Sequence, residues 1–358
     1  MSWLPPESEE PYEQYDEYDD DGYRARPNPK ANRPRSKQRP AHDDAIPARI
    51  TTVDRGRYTA LVDEGGPLER SVTATRAREL RSQSIVTGDR VDIVGDVSGD
   101  EGSLARIVRV HERRTLLRRS ADDTDAVERI IVANADQLLI VVASADPEPR
   151  PRLVDRYLVA AYDAGISPLL VMTKVDLADP SAFLAHFTGL DLQVVTSSPE
   201  RPPVDALRER LRGRTTVAVG HSGVGKSTLV NALVPGADRA VGVVNSVTGR
   251  GRHTSSSTVS LRLPGGGWII DTPGVRSFGL GHVDPENILR AFGDLADVAA
   301  ACPRGCTHRP DATDCELVQR AARGELGELG PERLDSLQRL LTTLRAPRGR
   351  TGADTLGE

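Results

Sequence analysis

Cysteine is nearly absent from this 358-residue chain: there are three, all between Cys302 and Cys315. So sparse and odd a set excludes a disulfide-stapled secreted scaffold. Lysine is almost as scarce. Lys30, Lys37, Lys174 and Lys226 stand against 43 arginines. The bias itself carries no function, but arginine does not replace lysine at a tight site, so each surviving lysine is informative. No apolar run of about eighteen residues occurs, which excludes a membrane-spanning helix. The N-terminus is acidic and lacks the apolar core of a secretory signal. These absences favour a cytoplasmic protein. Aromatic residues make up only 4%, so any nucleic-acid binding would rest on phosphate and shape more than on stacking. The net charge of −5 announces no bulk attraction to nucleic acid.

At about 100–200 residues per domain, the length predicts two or three domains. Residues 1–45 read as a disordered charged tail. Nine acidic residues lie between Glu7 and Asp21, and seven basic ones between Arg24 and Arg39. Residues 46–111 read as a small β-barrel. Five short Val/Ile/Thr-rich runs, Ala48–Val53, Tyr58–Val62, Ser71–Ala74, Arg90–Val94 and Leu104–Val110, are separated by turn signals. That pattern suits an OB-fold, and an SH3-like barrel would read almost the same way. Residues 112–285 alternate apolar runs with helix-length amphipathic stretches, as a parallel α/β sheet does. Expected strands are Leu138–Ala143, Ser167–Thr173, Leu192–Thr196, Thr216–Val219, Thr258–Leu263 and Trp268–Asp271. Residues 286–345 read as helical around the cysteines, with helices expected near Pro285–Phe292, Cys315–Arg323 and Pro331–Leu344, and 346–358 as a flexible tail.

The segment Gly220-His221-Ser222-Gly223-Val224-Gly225-Lys226-Ser227, followed by Thr228, fits G-x-x-x-x-G-K-[ST] between the apolar strand Thr216–Val219 and an expected amphipathic helix Lys226–Val234. In that context the glycines allow a loop whose N–H groups surround phosphate oxygens, helped by the positive end of the helix. Lys226 should reach the β/γ-phosphates and Ser227 should ligate Mg²⁺. Downstream, a strand ends in Asp271-Thr272-Pro273-Gly274. Asp271 would hold Mg²⁺ through water, and Gly274 would offer its N–H to the γ-phosphate. Between them, a polar loop containing Gly251, His253 and Thr254 has the composition of a switch closing over that phosphate.

A second constellation lies upstream. Thr173-Lys174-Val175-Asp176 ends an apolar strand and has the shape of the N-K-x-D motif of guanine-specific NTPases, with Thr for Asn. Asp176 can accept from guanine N1–H and N2–H₂, a donor pair adenine lacks. The stem of Lys174 can lie on the base. Thr196, Ser197 and Ser198 follow the next strand, where such folds place a supporting loop. The order is inverted: the base motif precedes the phosphate loop by some fifty residues. A sheet whose termini lie close together tolerates such a permutation.

Cys302-x₃-Cys306-x-His308-x₆-Cys315 offers three thiolates and an imidazole, a set that suits a closed structural Zn²⁺ site. Arg304 and Arg309 beside it fit either an RNA-facing knuckle or solvated charges. Arg106, Arg109, Arg113, Arg114, Arg118 and Arg119 crowd the end of the barrel and the linker. They can meet RNA phosphates or pair with acids of the neighbouring domain.

The permuted order, the N-terminal barrel and the C-terminal Cys/His cluster together resemble the ribosome small-subunit-dependent GTPase family, over roughly residues 46–345. The resemblance implies a multidomain α/β chain: an OB-fold, a circularly permuted P-loop GTPase domain, then an α-helical zinc-binding domain. It also implies Mg²⁺-dependent GTP hydrolysis stimulated by the small ribosomal subunit during late assembly, with rRNA as a partner and a monomeric protein. Two departures stand out. Thr173 replaces the usual Asn and cannot make the amide's paired contacts. Val275, after Gly274, stands where many GTPases carry a water-orienting glutamine. Slow basal hydrolysis follows. His253 is the candidate water-positioning residue, with a purely structural histidine as the other reading. Two other classes stay open: a P-loop ATPase with an accidental T-K-x-D, and an RNA-binding module holding nucleotide without significant turnover.

Overall fold

The computed structural model describes residues 42–54, 56–80, 82–120, 128–236, 258–272, 278 and 280–344. The first five strands are β1 (Ile46–Asp54), β2 (Arg57–Val62), β3 (Arg70–Arg76), β4 (Arg90–Gly95) and β5 (Ala105–Val110). They run in the order β1-β2-β3-β5-β4 and close through β1–β4 pairing. The β3–β5 pair is parallel and its neighbours are antiparallel. Closure leaves this barrel no free edge, and the path is OB-like. Ile50, Ala60, Val72, Val91, Ile93 and Ile107 fill its interior.

A hairpin follows, β6 (Leu116–Ser120) with β7 (Glu128–Ala133). No local pattern in the chain announces it: Arg119 stands directly opposite Arg129, and like charges at facing positions disfavour pairing. Burial of Leu117 and Val132 outweighs that cost at its base.

The main sheet then forms from β8 (Gln137–Ala143), β9 (Ser167–Thr173), β10 (Gln193–Thr196), β11 (Thr215–Val219), β12 (Val259–Arg262) and β13 (Trp268–Asp271). Their spatial order is β10-β9-β8-β11-β13-β12. All neighbours are parallel except β12, which runs against β13. Helices α1 (Pro151–Asp163), α2 (Ser181–Leu184), α3 (Val204–Leu211) and α4 (Lys226–Leu233) connect them. Alternate residues of β8 feed two cores. Leu138, Ile140 and Val142 pack with α1, whereas Leu139, Val141 and Ala143 pack with α3 and α4.

Helices α5 (Pro285–Arg290), α6 (Gly293–Ala299), α7 (Glu316–Ala322) and α8 (Gly330–Thr343) complete the described chain. They share the α1-side core through Ile288, Leu295, Leu317, Leu337 and Leu340. Asp155 of α1 and Arg339 of α8 form an ion pair across it, 3.2 Å apart. The sequence did not show α6. It starts on glycine and carries two aspartates, a composition of weak helix propensity, and tertiary burial of Leu295 and Ala299 sustains it. Among the described residues no helix is long and apolar enough to cross a membrane.

The barrel is hydrogen-bonded onto the sheet. Thr52 of β1 pairs with Val259 of β12, and the Thr87 hydroxyl donates to the Thr258 carbonyl at 3.3 Å. Arg49, 4% exposed, reaches Glu64 at 3.1 Å and the Thr215 hydroxyl at 2.7 Å, with its guanidinium over the Trp268 ring. Trp268 Nε1 donates to Glu64 at 2.6 Å. Burial pushes Glu64 up, but Arg49, Trp268 and Arg90 together hold its carboxyl below the ordinary value of 4.5. A carboxylate held low stabilises fully above its ordinary value and loses that contribution as pH falls through the depressed one. Glu64→Gln should therefore cost about 1–3 kcal/mol at neutral pH. In urea denaturation the gap to the wild type should close as the pH falls below the ordinary carboxylate value.

Candidate nucleotide site and metal centre

Strand β11 leaves the sheet at Gly220, and the loop that follows turns back over β8. A Cβ on Gly220 would lie 2.5 Å from the Val141 carbonyl oxygen, so only glycine lets the chain pass. Gly225 has φ of 87° and caps α4 at its N-terminus, a left-handed conformation that glycine adopts at no steric cost. Val224 between them is buried, whereas Ser222, Ser227 and Thr228 are exposed and His221 and Lys226 half-buried. The His221 Nδ1 lies 3.0 Å from the Ser222 carbonyl oxygen. Lys226 forms an ion pair with Asp271, at the end of β13. Thr272, 1% exposed, donates to the Ala218 carbonyl of β11 at 2.9 Å. The ends of β11 and β13 are thus tied together where they leave the sheet.

The second motif ends β9, one strand beyond β8. Thr173 is buried, and its hydroxyl donates to the Val224 carbonyl of the glycine-rich loop at 2.6 Å. Lys174 has φ of 56° and turns the chain; its ammonium donates to the Asp146 carbonyl. Val175 N–H donates to Ser197 O at 3.4 Å, and Ser197 N–H to Met172 O at 2.8 Å. The loop of Thr196, Ser197 and Ser198 therefore braces the turn that carries the exposed Asp176. The structure brings together Thr173–Asp176, Thr196–Ser198, Gly220–Thr228 and Asp271, although they come from segments far apart in sequence. His253, Thr254 and Gly274 lie outside the described residues. Asp146 and Ser144, after β8, were not singled out in the sequence: their part is played by a backbone carbonyl and by contacts that no motif encodes.

The cysteine cluster is assembled by the ends of α6 and α7. The donor atoms of Cys302, Cys306, His308 and Cys315 all lie within 4.8 Å of one another. Cys302 Sγ is 3.9 Å from Cys315 Sγ, which is 3.6 Å from His308 Nδ1. Zn–S bonds of about 2.3 Å in a regular tetrahedron place sulfurs about 3.8 Å apart. The soft donor set and its spacing thus fit a zinc ion. Glu316 N–H donates to Cys302 Sγ at 3.3 Å, fixing one sulfur from outside the donor set. Burial lowers the His308 imidazole below its usual value, favouring the neutral form that binds metal. Arg309 is tied to the Leu341 carbonyl at 3.1 Å, and Arg304 is exposed.

Among the described residues, three of the six arginines near the end of the barrel form internal ion pairs. Arg109 pairs with Asp92, Arg113 with the buried Asp89, and Arg114 with Asp136 of the main sheet.

The family described as RsgA GTPase matches residues 110–281. The small ribosomal subunit biogenesis GTPase RsgA of Pseudomonas aeruginosa is 38% identical over 269 residues, covering 73% of this chain and 76% of its own. The protein of the same name from Chlorobaculum parvum is 33% identical over 305 residues, covering 82% of this chain and 97% of its own. Among solved structures, YjeQ from Thermotoga maritima is similar with a TM-score of 0.60 at 24% identity, covering 85% of this chain and 99% of that one. YloQ, described as a circularly permuted GTPase, is similar with a TM-score of 0.59 at 22% identity, covering 86% and 97%. At these identities the structural likeness speaks for the fold.

The contact at Gly220 sets a stability prediction. Gly220→Ala should cost about 1–3 kcal/mol in urea denaturation, because the methyl meets backbone. Gly293→Ala, whose Cβ meets nothing within 4 Å, should stay within about 0.5 kcal/mol of wild type.

Proposed function

Because this chain belongs to the RsgA GTPase family, we propose that it hydrolyses GTP in the late maturation of the small ribosomal subunit, stimulated by that subunit. The observation that carries this reading is the juxtaposition of the Thr173–Asp176 turn with the glycine-rich loop, joined by the Thr173–Val224 hydrogen bond. One end can hold a guanine and the other its phosphates.

In this reading Asp176 accepts from the N1–H and N2–H₂ edge of guanine, and Lys174 lies along the base. The N–H groups of the Gly220–Ser227 loop surround the phosphates. The Lys226 ammonium moves from Asp271 to the β/γ-phosphate oxygens and neutralises charge there. Ser227 and Asp271 offer the hard oxygen donors that fit Mg²⁺, which supplies further charge neutralisation when bound. Gly274 N–H, Thr254 and His253 complete the γ-phosphate side, with His253 positioning water where Val275 cannot. The Cys302, Cys306, His308 and Cys315 set holds one structural zinc and no substrate.

For rRNA, the arginines on the barrel and hairpin surface that show no ion pair among the described residues matter most. Arg57, Thr75 and Arg106 sit side by side across β2, β3 and β5, and Arg119 faces Arg129 on the hairpin. An RNA phosphate would relieve the repulsion of facing cations.

Multiple-turnover GTP hydrolysis with and without small subunits tests the proposal. Subunits should raise the rate by at least about tenfold, and Lys226→Ala should abolish it. Arg119→Ala with Arg129→Ala should reduce the stimulation and leave basal turnover unchanged. No stimulation would favour the RNA-binding module, and equal affinity for ADP and GDP would favour the ATPase. A separate metal assay should find one zinc per chain. Cys315→Ser should lose it and lower the melting temperature, whereas zinc-free wild type of unchanged stability would defeat the zinc assignment.

A further inference from the structure

Thr173 is where this base motif departs from the usual asparagine, and its environment says what the threonine does instead. The side chain is 6% exposed. A hydroxyl has one proton to give. Two carbonyl oxygens lie within reach, Val224 at 2.6 Å and Val142 at 3.3 Å. The shorter contact lies at the strong end of the O–H···O range. The residue is held from its other side too, since the Thr173 carbonyl accepts from both the N–H and the hydroxyl of Ser144, each at 2.9 Å. Its Cβ branch restricts χ1, and a Cβ on Gly225 would lie 3.7 Å from its hydroxyl oxygen. The hydroxyl is therefore committed to the phosphate loop. Turning it toward a base nitrogen would take the donor away from the carbonyl of the buried Val224.

Resting on the guanine reading above, we infer that Thr173 fastens the phosphate loop to the base strand and leaves guanine N7 without a donor from this residue. An asparagine amide has two protons and can serve a carbonyl and a ring nitrogen together. Threonine serves one. Discrimination at this strand then comes from the N1–N2 edge at Asp176, and Thr173 is a positioning residue whose bond sets where the loop stands relative to the base. A site that donates no hydrogen bond to an atom of its ligand does not penalise an analogue lacking that atom. The pocket should accept a guanine nucleotide whose N7 is replaced by C–H.

Competition titrations of the full chain with GDP, 7-deaza-GDP and ADP provide the test. Wild type should bind GDP and 7-deaza-GDP within about twofold of each other. Thr173→Asn should prefer GDP over 7-deaza-GDP by about tenfold, the worth of one added hydrogen bond. Thr173→Val should weaken both guanine nucleotides by the same factor of about ten, and Thr173→Ser should restore them. A purely structural role for Thr173 would not move the GDP to 7-deaza-GDP ratio in the asparagine variant. A tenfold penalty on 7-deaza-GDP in wild type, with GDP still preferred over ADP, overturns this inference alone. So does Thr173→Val binding GDP as wild type does. Equal binding of GDP and ADP overturns the guanine reading and this inference with it.

Discussion

The seven-residue strand Gln137–Ala143, buried along its whole length, supplies none of the proposed ligand contacts, yet it sets the distance between the two halves of the site. It pairs with β9 on one side and β11 on the other. Ile140 is in register with both Leu170 and Val219, one residue before Gly220. Two inter-strand spacings of just under 5 Å separate the base turn from the phosphate loop by about 10 Å. That separation belongs to the sheet and is indifferent to chain order. It is why the base motif can come first in sequence without disturbing the site. The loop's passage over Val141 and the Thr173–Val224 bond then fix height and tilt, which strand pairing alone leaves free.

The barrel grips the same sheet from the opposite ends of its strands. Arg49 holds Thr215 at the start of β11, and Glu64 holds Trp268 at the start of β13. Those two strands finish at the glycine-rich loop and at Asp271. The β1–β12 pairing adds a backbone tie. A barrel displaced relative to the sheet must therefore carry β12 with it or break that pairing. On the other side, α8 is fastened to α1 by the Asp155–Arg339 pair within a shared core. The barrel is thus connected to the glycine-rich-loop end of the sheet by hydrogen bonds and packed strands.

What the sequence disclosed was local chemistry. A glycine loop between strand and helix, a strand ending in T-K-x-D and a cysteine cluster are short patterns with mechanical reasons, and they could be read directly. Alternating runs likewise marked the five barrel strands and the six strands of the sheet. What stayed hidden depends on partners more than a hundred residues away. The Arg49–Thr215 bond spans 166 residues and the Glu64–Trp268 bond 204, and no window contains both ends. The hairpin and α6 were hidden for a different reason. Their local preferences oppose the structure they adopt, and burial decides against preference in both.

The scarcity of lysine takes its meaning from this architecture. Arginine performs most of the internal fastening: Arg49 between barrel and sheet, Arg113 within the barrel, Arg333 and Arg339 under the terminal helices. Each presents a planar fork to a fixed carboxylate or stacks on a ring, tasks in which the fork loses little freedom. Both lysines of the described chain do something else. Lys174 places a compact ammonium on a carbonyl beside the base turn, and Lys226 places one on Asp271 beside the phosphate loop. In the proposed reading, a phosphate entering that loop would compete with Asp271 for a charge on a flexible four-carbon stem, which could swing without dismantling a bidentate contact. Arginine at the same position would bind the carboxylate through two bonds and release it less readily. The residue needed where an ion pair must exchange partners is the one this chain otherwise avoids.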